Sequence, residues 1–323
     1  MTQIAAGVER ISTPLGNRRN DVYAFRGSSR TVLLDTGVDG VMSGHILPGL
    51  EEAGVGASDV SHVVVSHCDV DHFGGIGAAR ETFADAAFLA HPCDAPMMAD
   101  FEAYLSGRGR SFVSVYGLDE PPADLAWVRE VTRESPVTGM VAGGESIDLG
   151  GREIHLLHLP GHSRGHLGVH DPSRGVVALS DAVLGAAVPD VDGMPLFPPT
   201  YRHVEEYLDT VALVRRLAPQ YLLTAHYGVY EGTAVAAFLD ESEDFCHTLE
   251  AAVVELFAEA DDPEGLTLAE AVAGLLPSVG SWPREGRLNA LAFPVCGHVE
   301  RLAAQGRLVI DLSEGPARIR SAA

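Results

Sequence analysis

Four ionisable side chains lie within six positions of the segment VVVSHCDVDHFGG, residues 63 to 75: His67, Asp69, Asp71 and His72. Three valines precede them and a pair of glycines follows. Two carboxylates this close together repel each other unless a cation lies between them. Imidazole nitrogens and carboxylate oxygens are ligands of the same divalent metal ions. The segment therefore predicts a metal site directly after a buried strand, in preference to a solvated turn that carries histidines by chance.

Three more polar residues follow apolar runs further along the chain. His162 lies in LPGHSRGH, Asp181 in VVALSDAV and His226 in LLTAHYG. Each stands at or just beyond the end of a predicted strand. In α/β folds, the loops at strand ends carry the binding and catalytic side chains. We therefore expect these three residues to join the cluster at one edge of the fold.

Short strands that alternate with helical patterns indicate an α/β fold for the first 240 residues. The predicted strands include GVERIS, VYAFRG, TVLLDTG, VSHVVVSH, AAFLAHP, REIHLLHLPGH, HLGVH, GVVALSD and QYLLTAHYG. Helices are predicted near residues 42–54, 95–106 and 201–217. Residues 107–145 are punctuated by proline and glycine, and we take them as an irregular insertion over a pocket. The aromatic residues of this insertion either form an apolar wall of the pocket or pack within a lid.

The C-terminal part differs in texture, and we divide the chain into residues 1–240 and a smaller module, residues 241–323. Helical patterns dominate the module, and GHVERLAAQGRLVIDL closes it with a helix, a glycine turn and a strand. That order is similar to a winged-helix module. Residues 245–323 carry six Arg against eleven Asp and Glu, which argues against DNA as a ligand. A structural cap or a dimerisation element is the favoured reading, so a homo-oligomer stays open.

As a set, these motifs resemble the signature of the metallo-β-lactamase superfamily, over roughly residues 5 to 235. The family pattern is HxHxDH, then a PGH loop, a strand-end aspartate and a late GH or AH loop. The resemblance implies an αββα sandwich that brings the four segments to one edge. It also implies two divalent metal ions at that edge.

The resemblance assigns a role to each residue. His67, Asp69 and His162 would hold the first ion, while Asp71, His72 and His226 would hold the second, with Asp181 bridging both. Asp71 would lie near a metal-bridging hydroxide that acts as the nucleophile. Asp35 in LDTG and His166 would support ligands from behind. Candidates for the substrate pocket are Tyr201, His203 and Tyr227.

Asp69 departs from the family pattern, which usually has a histidine at this position. A carboxylate can still bind a metal, but it makes the first site harder and adds negative charge. Oxygen ligands favour iron or manganese, although zinc also accepts carboxylates. The resemblance therefore predicts zinc, or iron or manganese because of Asp69.

Two functions follow from this metal centre. The favoured one is a dinuclear hydrolase that cleaves an ester-like bond, in a thioester, a lactone or a related acyl compound, by a metal-bridging hydroxide. The winged-helix-like tail resembles the thioesterase branch of the superfamily. The alternative is a di-iron, oxygen-dependent redox enzyme on the same fold, because a carboxylate ligand also occurs in the flavodiiron branch. A third reading, a metal-stabilised scaffold for a protein partner, is disfavoured by the full ligand set.

Composition narrows the partners. The 323 residues include 22 Lys and Arg, all of them arginine, and the formal net charge is −23. The absence of lysine excludes a Walker motif and a Schiff base, and the negative charge argues against nucleic acid. Four scattered cysteines, the lack of a secretory signal and the lack of a long apolar run favour a cytoplasmic protein that does not bind membranes. We expect a small-molecule or carrier-borne acyl substrate.

Overall fold

Two β-sheets packed face to face form the centre of the molecule. The computed structural model describes residues 1–260, 264–283, 288–313 and 315–322. Within them, the strands of the first sheet are Thr2–Ala5 (β1), Val8–Leu15 (β2), Arg18–Arg26 (β3), Thr31–Leu34 (β4), Val60–Val64 (β5), Ala87–Ala90 (β6) and Gly139–Met140 (β7). They are hydrogen-bonded in chain order. Pairing is antiparallel from β1 to β4 and parallel from β4 to β7.

The second sheet is formed by the later part of the first 240 residues. Its strands are Ser146–Asp148 (β8), Glu153–His158 (β9), Leu167–Asp171 (β10), Val176–Ser180 (β11), Tyr221–Thr224 (β14) and Val229–Glu231 (β15). Their order in the sheet is β15-β14-β11-β10-β9-β8, and only the β11–β14 pair is parallel. Two small hairpins stand apart, with strands Val188–Pro189 (β12), Pro195–Phe197 (β13), Leu308–Asp311 (β16) and Arg318–Ser321 (β17).

Helices cover the outer faces of both sheets. Their bounds are Leu47–Glu52 (α1), Val70–Phe73 (α2), Ile76–Thr82 (α3), Ala95–Ala99 (α4), Phe101–Tyr104 (α5), Val113–Tyr116 (α6), Pro122–Glu130 (α7), Val204–Leu217 (α8), Thr233–Glu259 (α9), Leu268–Val279 (α10) and Leu288–Ala304 (α11). Two π-helical turns, Met42–Ile46 and Leu105–Gly109, precede α1 and follow α5.

Alternating side chains give each sheet two apolar faces. Phe25 and Leu34 of the first sheet pack with Leu156 and Val169 of the second, and all four are fully or almost fully buried. Burying a side chain of this size contributes about 1.5–3 kcal/mol. The opposite faces pack against α1 and α3 on one side and against α8 and α9 on the other. The predicted αββα sandwich is confirmed.

Parallel strands explain why the polar residues meet. The ends of β5, β11 and β14 lie at one edge of the sandwich, and each is followed within three residues by a residue of the predicted cluster. At this edge, Asp35 has φ 70° and Ser180 has φ 51°. Positive φ is uncommon for residues other than glycine and concentrates at functional sites.

The insertion is more regular than predicted. Instead of an irregular segment, residues 107–145 contain α6, α7 and the edge strand β7. Helix α7 has the sequence PADLAWVRE, with a proline in its first turn. Proline is compatible with that position because the first backbone N–H groups of a helix have no partner within the helix. The proline therefore starts a helix here, whereas the sequence analysis took it to interrupt structure.

The C-terminal helices α9, α10 and α11 pack into the same hydrophobic core as α8. Helix α9 begins at Thr233, so the predicted boundary at residue 240 falls inside it. One hydrophobic cluster joins Val211 of α8, Leu249 of α9, Val272 of α10 and Leu291 of α11. The helix, turn and β-hairpin at the end have the predicted winged-helix-like order. The division into two domains stays a prediction.

Candidate metal centre

The polar residues at the strand ends meet at the edge of the sandwich. They form two groups of three residues. Within each group every residue offers one ligand atom, and these three atoms lie within 4.8 Å of one another. The first metal group is His67, Asp69 and His162, and the second metal group is Asp71, His72 and His226.

Asp181 lies between the two metal groups. Together with His67 and His72 it forms a third set, whose ligand atoms also lie within 4.8 Å of one another. Its Oδ2 atom is 3.5 Å from His72 Nε2 and 3.2 Å from His226 Nε2. Asp181 therefore contacts the second metal group directly and shares a set with a member of the first.

Buried atoms without a partner test whether a metal ion fits here. The Nε2 atoms of His67 and His72 and the Oδ1 atom of Asp181 are buried and have no hydrogen-bond partner among the described residues. A buried polar group without a partner costs about 1–3 kcal/mol. Divalent cations at the two metal groups would satisfy these atoms, and the imidazole and carboxylate set is one that zinc, iron and manganese accept. The residues present fit a metal ion.

The other ring nitrogen of three histidines is held in place. His72 Nδ1 lies 3.0 Å from Asp35 Oδ2, and His67 Nδ1 lies 2.9 Å from Ser66 Oγ. His226 Nδ1 lies 2.9 Å from the backbone oxygen of Arg19. Such contacts fix the tautomer and the ring orientation, so that Nε2 is presented to a metal. Asp35 thus contacts His72 on the side away from the cluster, and its role in orienting a metal ligand stays a prediction.

The histidines and carboxylates of the cluster shift each other's pKa values. Burial lowers the pKa of His226, but Asp181 and Asp71 together outweigh that effect and raise the pKa to about 9. Burial raises the pKa of Asp181, yet His226 and His72 hold it well below its usual value. A metal ion would replace the histidine protons, so binding would release protons to solvent.

Arg108 is a member of the site that the sequence analysis missed. Its Nε and Nη2 atoms donate to Asp69 Oδ1 and Oδ2 at 2.6 and 2.7 Å. Nη1 donates to the backbone oxygen of His162 at 3.2 Å. Burial raises the pKa of Asp69, but Arg108, His162 and His67 together outweigh it and keep that pKa well below its usual value. The negative charge that Asp69 adds to the first metal group is therefore offset by a cation from the insertion.

His166 lies behind the first metal group. Its ring stacks on that of His67, with centroids 4.6 Å apart and an angle of 19° between the planes. It is fully buried, and neither of its ring nitrogens has a hydrogen-bond partner among the described residues. Burial lowers its pKa well below the usual value. His166 thus supports His67 by ring packing and belongs to none of the three ligand sets.

A pocket of about 480 Å³ opens onto the metal groups. Asp69, Asp71, Asp181 and His226 line it together with Arg108. The remainder of the lining combines apolar and aromatic with polar side chains. The apolar and aromatic ones include Leu15, Val70, Tyr104, Leu125, Trp127, Val128, Val188, Phe197, Pro198 and Phe293, and the polar ones are Asn17, Arg18, Glu120, Asp124, Thr200 and Asn289.

The three pocket residues predicted from the sequence do not line this pocket and are corrected. Tyr201 is fully buried, and its hydroxyl lies 2.9 Å from His298 Nε2. The Tyr227 side chain does not line the pocket, and its hydroxyl accepts a hydrogen bond from the Gly185 backbone N–H. His203 directly precedes α8 and lies outside the lining.

The aromatic residues of the insertion divide between the two readings that the sequence left open. Trp127 lines the pocket and is 41 % exposed. Phe112 and Tyr116 are buried in the core, where Phe112 packs against Phe293. The insertion supplies both a wall of the pocket and ordinary packing.

Residues 15–226 match the family model described as the metallo-beta-lactamase superfamily, and the chain belongs to that superfamily. It is a metal-dependent hydrolase of this superfamily. The resemblance inferred from the motifs is confirmed.

Relatives and solved structures agree with this assignment. The chain is 26% identical over 231 residues to the acyl-coenzyme A thioesterase MBLAC2 of Homo sapiens, covering 67% of this chain and 75% of the relative. It is 26% identical over 139 residues to a hydroxyacylglutathione hydrolase of Erythrobacter litoralis, covering 42% and 51%. A metallo-beta-lactamase family protein from Thermus thermophilus superposes with a TM-score of 0.75 at 21% identity, covering 99% of this chain and 100% of the other. A beta-lactamase domain protein from Burkholderia ambifaria gives a TM-score of 0.74 at 18% identity, covering 99% and 94%.

Helices of the kind that cross membranes are not found in the part of the chain that the structure describes: none combines the required length with an apolar composition.

Proposed function

We propose that the protein hydrolyses a small, weakly charged acyl thioester, using two divalent metal ions. The first metal group would hold one ion and the second metal group the other, with Asp181 shared. The observation that carries this proposal is the set of buried, unpartnered atoms on His67, His72 and Asp181 beside a pocket with both polar and apolar walls.

The metal groups supply the chemistry and the chain supplies its geometry. When bound, the ions would act as Lewis acids and lower the pKa of a water molecule, so that it attacks an acyl carbon at neutral pH. Asp71 would accept a hydrogen bond from this water on a carboxylate oxygen and so orient it. Asp35 would keep the His72 ring fixed during turnover.

The leaving group follows from the titratable residues of the pocket. Among the described residues that line it, the one histidine is His226, a proposed metal ligand, and Asp124 is exposed. Glu120 is half-buried, and burial raises the pKa of its carboxyl above the usual value. Burial raises the pKa of Tyr104 well above its usual value, which makes this phenol a poor acid at neutral pH. A thiol has a pKa near 8.5, so it leaves as the anion without a proton from an acid. A thioester is therefore the acyl substrate that depends least on Glu120 as a proton donor, and we favour it over an alkyl ester or an amide.

The charges of the lining favour a weakly charged substrate. Two arginines line the pocket, and Arg108 is already paired with Asp69. The other, Arg18, lies over the Phe197 ring at 4.4 Å, and the carboxylates of the half-buried Glu120 and the exposed Asp124 line the same pocket. These groups offer little compensation for the several negative charges of a coenzyme A. The apolar remainder suits an acyl chain, and the two relatives named as a thioesterase and a hydroxyacylglutathione hydrolase support acyl chemistry.

A panel of matched substrates tests this proposal. The same acyl group would be presented as an N-acetylcysteamine thioester, a coenzyme A thioester, an alkyl ester and a lactone, with metal-loaded protein in air and under nitrogen. We expect turnover of the N-acetylcysteamine thioester to exceed that of the alkyl ester at least about tenfold, and to be unaffected by oxygen. The exposed variant Asp240→Asn serves as a matched control that retains full activity.

Each other outcome rejects part of the proposal. Preference for the coenzyme A thioester would contradict the argument from charge. Faster lactone or alkyl-ester cleavage would contradict the argument from the leaving group. Product formation that requires oxygen, with no hydrolysis, would replace the proposal by the di-iron redox alternative.

A further inference from the structure

The two metal groups differ in whether their donor atoms are already engaged. In the second metal group, the contacts of the Asp71 carboxylate are with His226 Nε2 at 3.4 Å and His72 Nε2 at 3.8 Å. In the first metal group, both Asp69 oxygens accept hydrogen bonds from Arg108. The same guanidinium reaches a second ligand, because its Nη2 atom lies 3.2 Å from His162 Nε2. A permanent cation therefore contacts the first metal group.

Arg108 is held rigidly in this position. Its side chain is 8 % exposed, and its guanidinium lies over the Phe293 ring of α11, 4.2 Å from the centroid. A buried guanidinium paired in a fork geometry keeps its charge under all physiological conditions. The C-terminal helix α11 thus braces a residue of the insertion against the metal centre.

A fixed cation weakens the binding of a second cation to the same carboxylate. An ion at the first metal group would share Asp69 with Arg108 and would lie within a few ångströms of the guanidinium charge. Charges at such distances repel strongly where water is excluded. Arg108 does not fill the site itself, since His67 Nε2 has no hydrogen-bond partner among the described residues. The first metal group is therefore still able to bind an ion, but against this repulsion.

We propose that Arg108 makes the first metal group the weaker of the two, so that the protein binds one ion tightly at Asp71, His72 and His226 and a second ion loosely at His67, Asp69 and His162. This inference rests on the metal binding assumed in the proposed function. Arg108 acts as a positioning residue, because it contacts ligands of the metal and sets the order in which the groups fill.

Stepwise metal binding tests the inference without any assay of activity. Metal-free protein would be titrated with Co²⁺ and followed by calorimetry and by the visible spectrum of the bound ion. We expect two separate steps for the natural protein. His226→Ala should remove the tighter step and His162→Ala the weaker one.

Arg108→Gln is the decisive variant because it removes the charge while keeping donors for Asp69. We expect its weaker step to tighten at least tenfold, with little change in the tighter step. Arg108→Met, which removes both charge and donors, should shift the weaker step in the same direction. Arg110→Met is the matched control: Arg110 is exposed, pairs with Asp119 and lies two positions away, so both steps should stay unchanged.

The contrary outcomes are distinct. A weaker step that is unchanged or loosened in both Arg108 variants, with circular dichroism showing a folded chain, would overturn the inference and leave the proposed function intact. A tighter step that disappears in His162→Ala would also overturn it. Natural protein that binds no divalent ion would overturn the inference and the proposed function together.

Discussion

Two buried clusters of the molecule contain the same kinds of residue and differ in one physical respect. The metal centre combines histidines with carboxylates, and so does a cluster between α8, α9 and α11 that we call the His298 cluster: Tyr201, Cys246, Glu250, His298 and Arg301. In the latter, His298 Nε2 lies 2.9 Å from the Tyr201 hydroxyl and 3.8 Å from Cys246 Sγ. His298 Nδ1 lies 3.3 Å from Glu250 Oε2, which Arg301 also contacts.

The difference lies in what each cluster leaves unsatisfied. Both ring nitrogens of His298 have partners, and the residues that line the pocket beside the metal groups do not include the cluster. At the metal centre, His67 Nε2, His72 Nε2 and Asp181 Oδ1 have no partner among the described residues, and a pocket opens beside them. By residue type alone, Cys246, Glu250 and His298 resemble a catalytic site. Unsatisfied ligand atoms together with access separate a functional cluster from a structural one.

Removal of the shared carboxylate should give the largest effect. In Asp181→Ala, both metal groups lose a neighbour, so metal content should fall and turnover should drop below detection. Changes behind a metal ligand already cost about 10–100-fold, and a shared ligand should cost more. Metal content would be measured by mass spectrometry and turnover by thioester hydrolysis.

Glu250→Ala provides the contrast for that measurement. It removes a carboxylate of the His298 cluster, and we expect full metal content and turnover with a lower melting temperature. An Asp181→Ala protein that keeps both its metal and its activity would contradict the role assigned to Asp181.

Removal of the metal should give the next-largest effect and should distinguish the two clusters. Chelation should abolish hydrolysis and lower the melting temperature, because an ion present at about 1,000 times its dissociation constant stabilises the fold by about 4 kcal/mol. The measurement is a thermal melt with and without chelator. Variants of the His298 cluster should show the same metal-dependent shift as the natural protein, and loss of that shift would contradict the separation.

Substitution within the His298 cluster should affect stability alone. His298→Phe leaves the buried Tyr201 hydroxyl without its partner, at a cost of about 1–3 kcal/mol. Urea unfolding would measure the loss. Metal content and the Michaelis constant should be unchanged, and a change in either would couple the two clusters.

The pH dependence of the His298 cluster follows from Glu250. The side-chain hydrogen bond with His298 is the largest cause that lowers the pKa of Glu250. Burial opposes it, the charge of Arg301 adds to it, and the resulting pKa is about 2. A group with a depressed pKa stabilises the fold above its unfolded pKa, near 4.3, and the contribution is lost as the pH falls through about 2. The difference in urea midpoint between the natural protein and Glu250→Gln should therefore shrink from pH 5 to pH 2. A difference that stays constant would contradict the assigned pairing.

Restoring the usual family ligand should give the smallest effect. Asp69→His removes a carboxylate from the first metal group, so metal preference should shift toward zinc, with metal content measured after growth in mixed metals. Because Asp69→His alone would leave the Arg108 charge without its carboxylate partner, the exchange is made together with Arg108→Gln, and we expect a change of only a few-fold. Unchanged metal content would show that Asp69 does not set the preference.

Local sequence was sufficient for the fold class and for the residues that form the cluster. His67 and His226 each follow a short apolar strand, and parallel strand ends must meet at one edge. Arg108 could not be predicted, because its contact with Asp69 depends on how an insertion folds back over the site. Tyr201 was misplaced for a related reason: its partner His298 lies 97 positions further along the chain. Short-range sequence patterns predict where the candidate metal ligands lie, whereas long-range packing decides which of the remaining polar residues reach the pocket.

The most direct test of the account is an anomalous difference map of a metal-loaded crystal, recorded at the absorption edge of the bound metal. We predict one peak among Asp71, His72 and His226 and a weaker one among His67, Asp69 and His162, with Asp181 between them. A map with no peak at either group, from protein that hydrolyses the thioester, would contradict the claim that these side chains bind the catalytic metal.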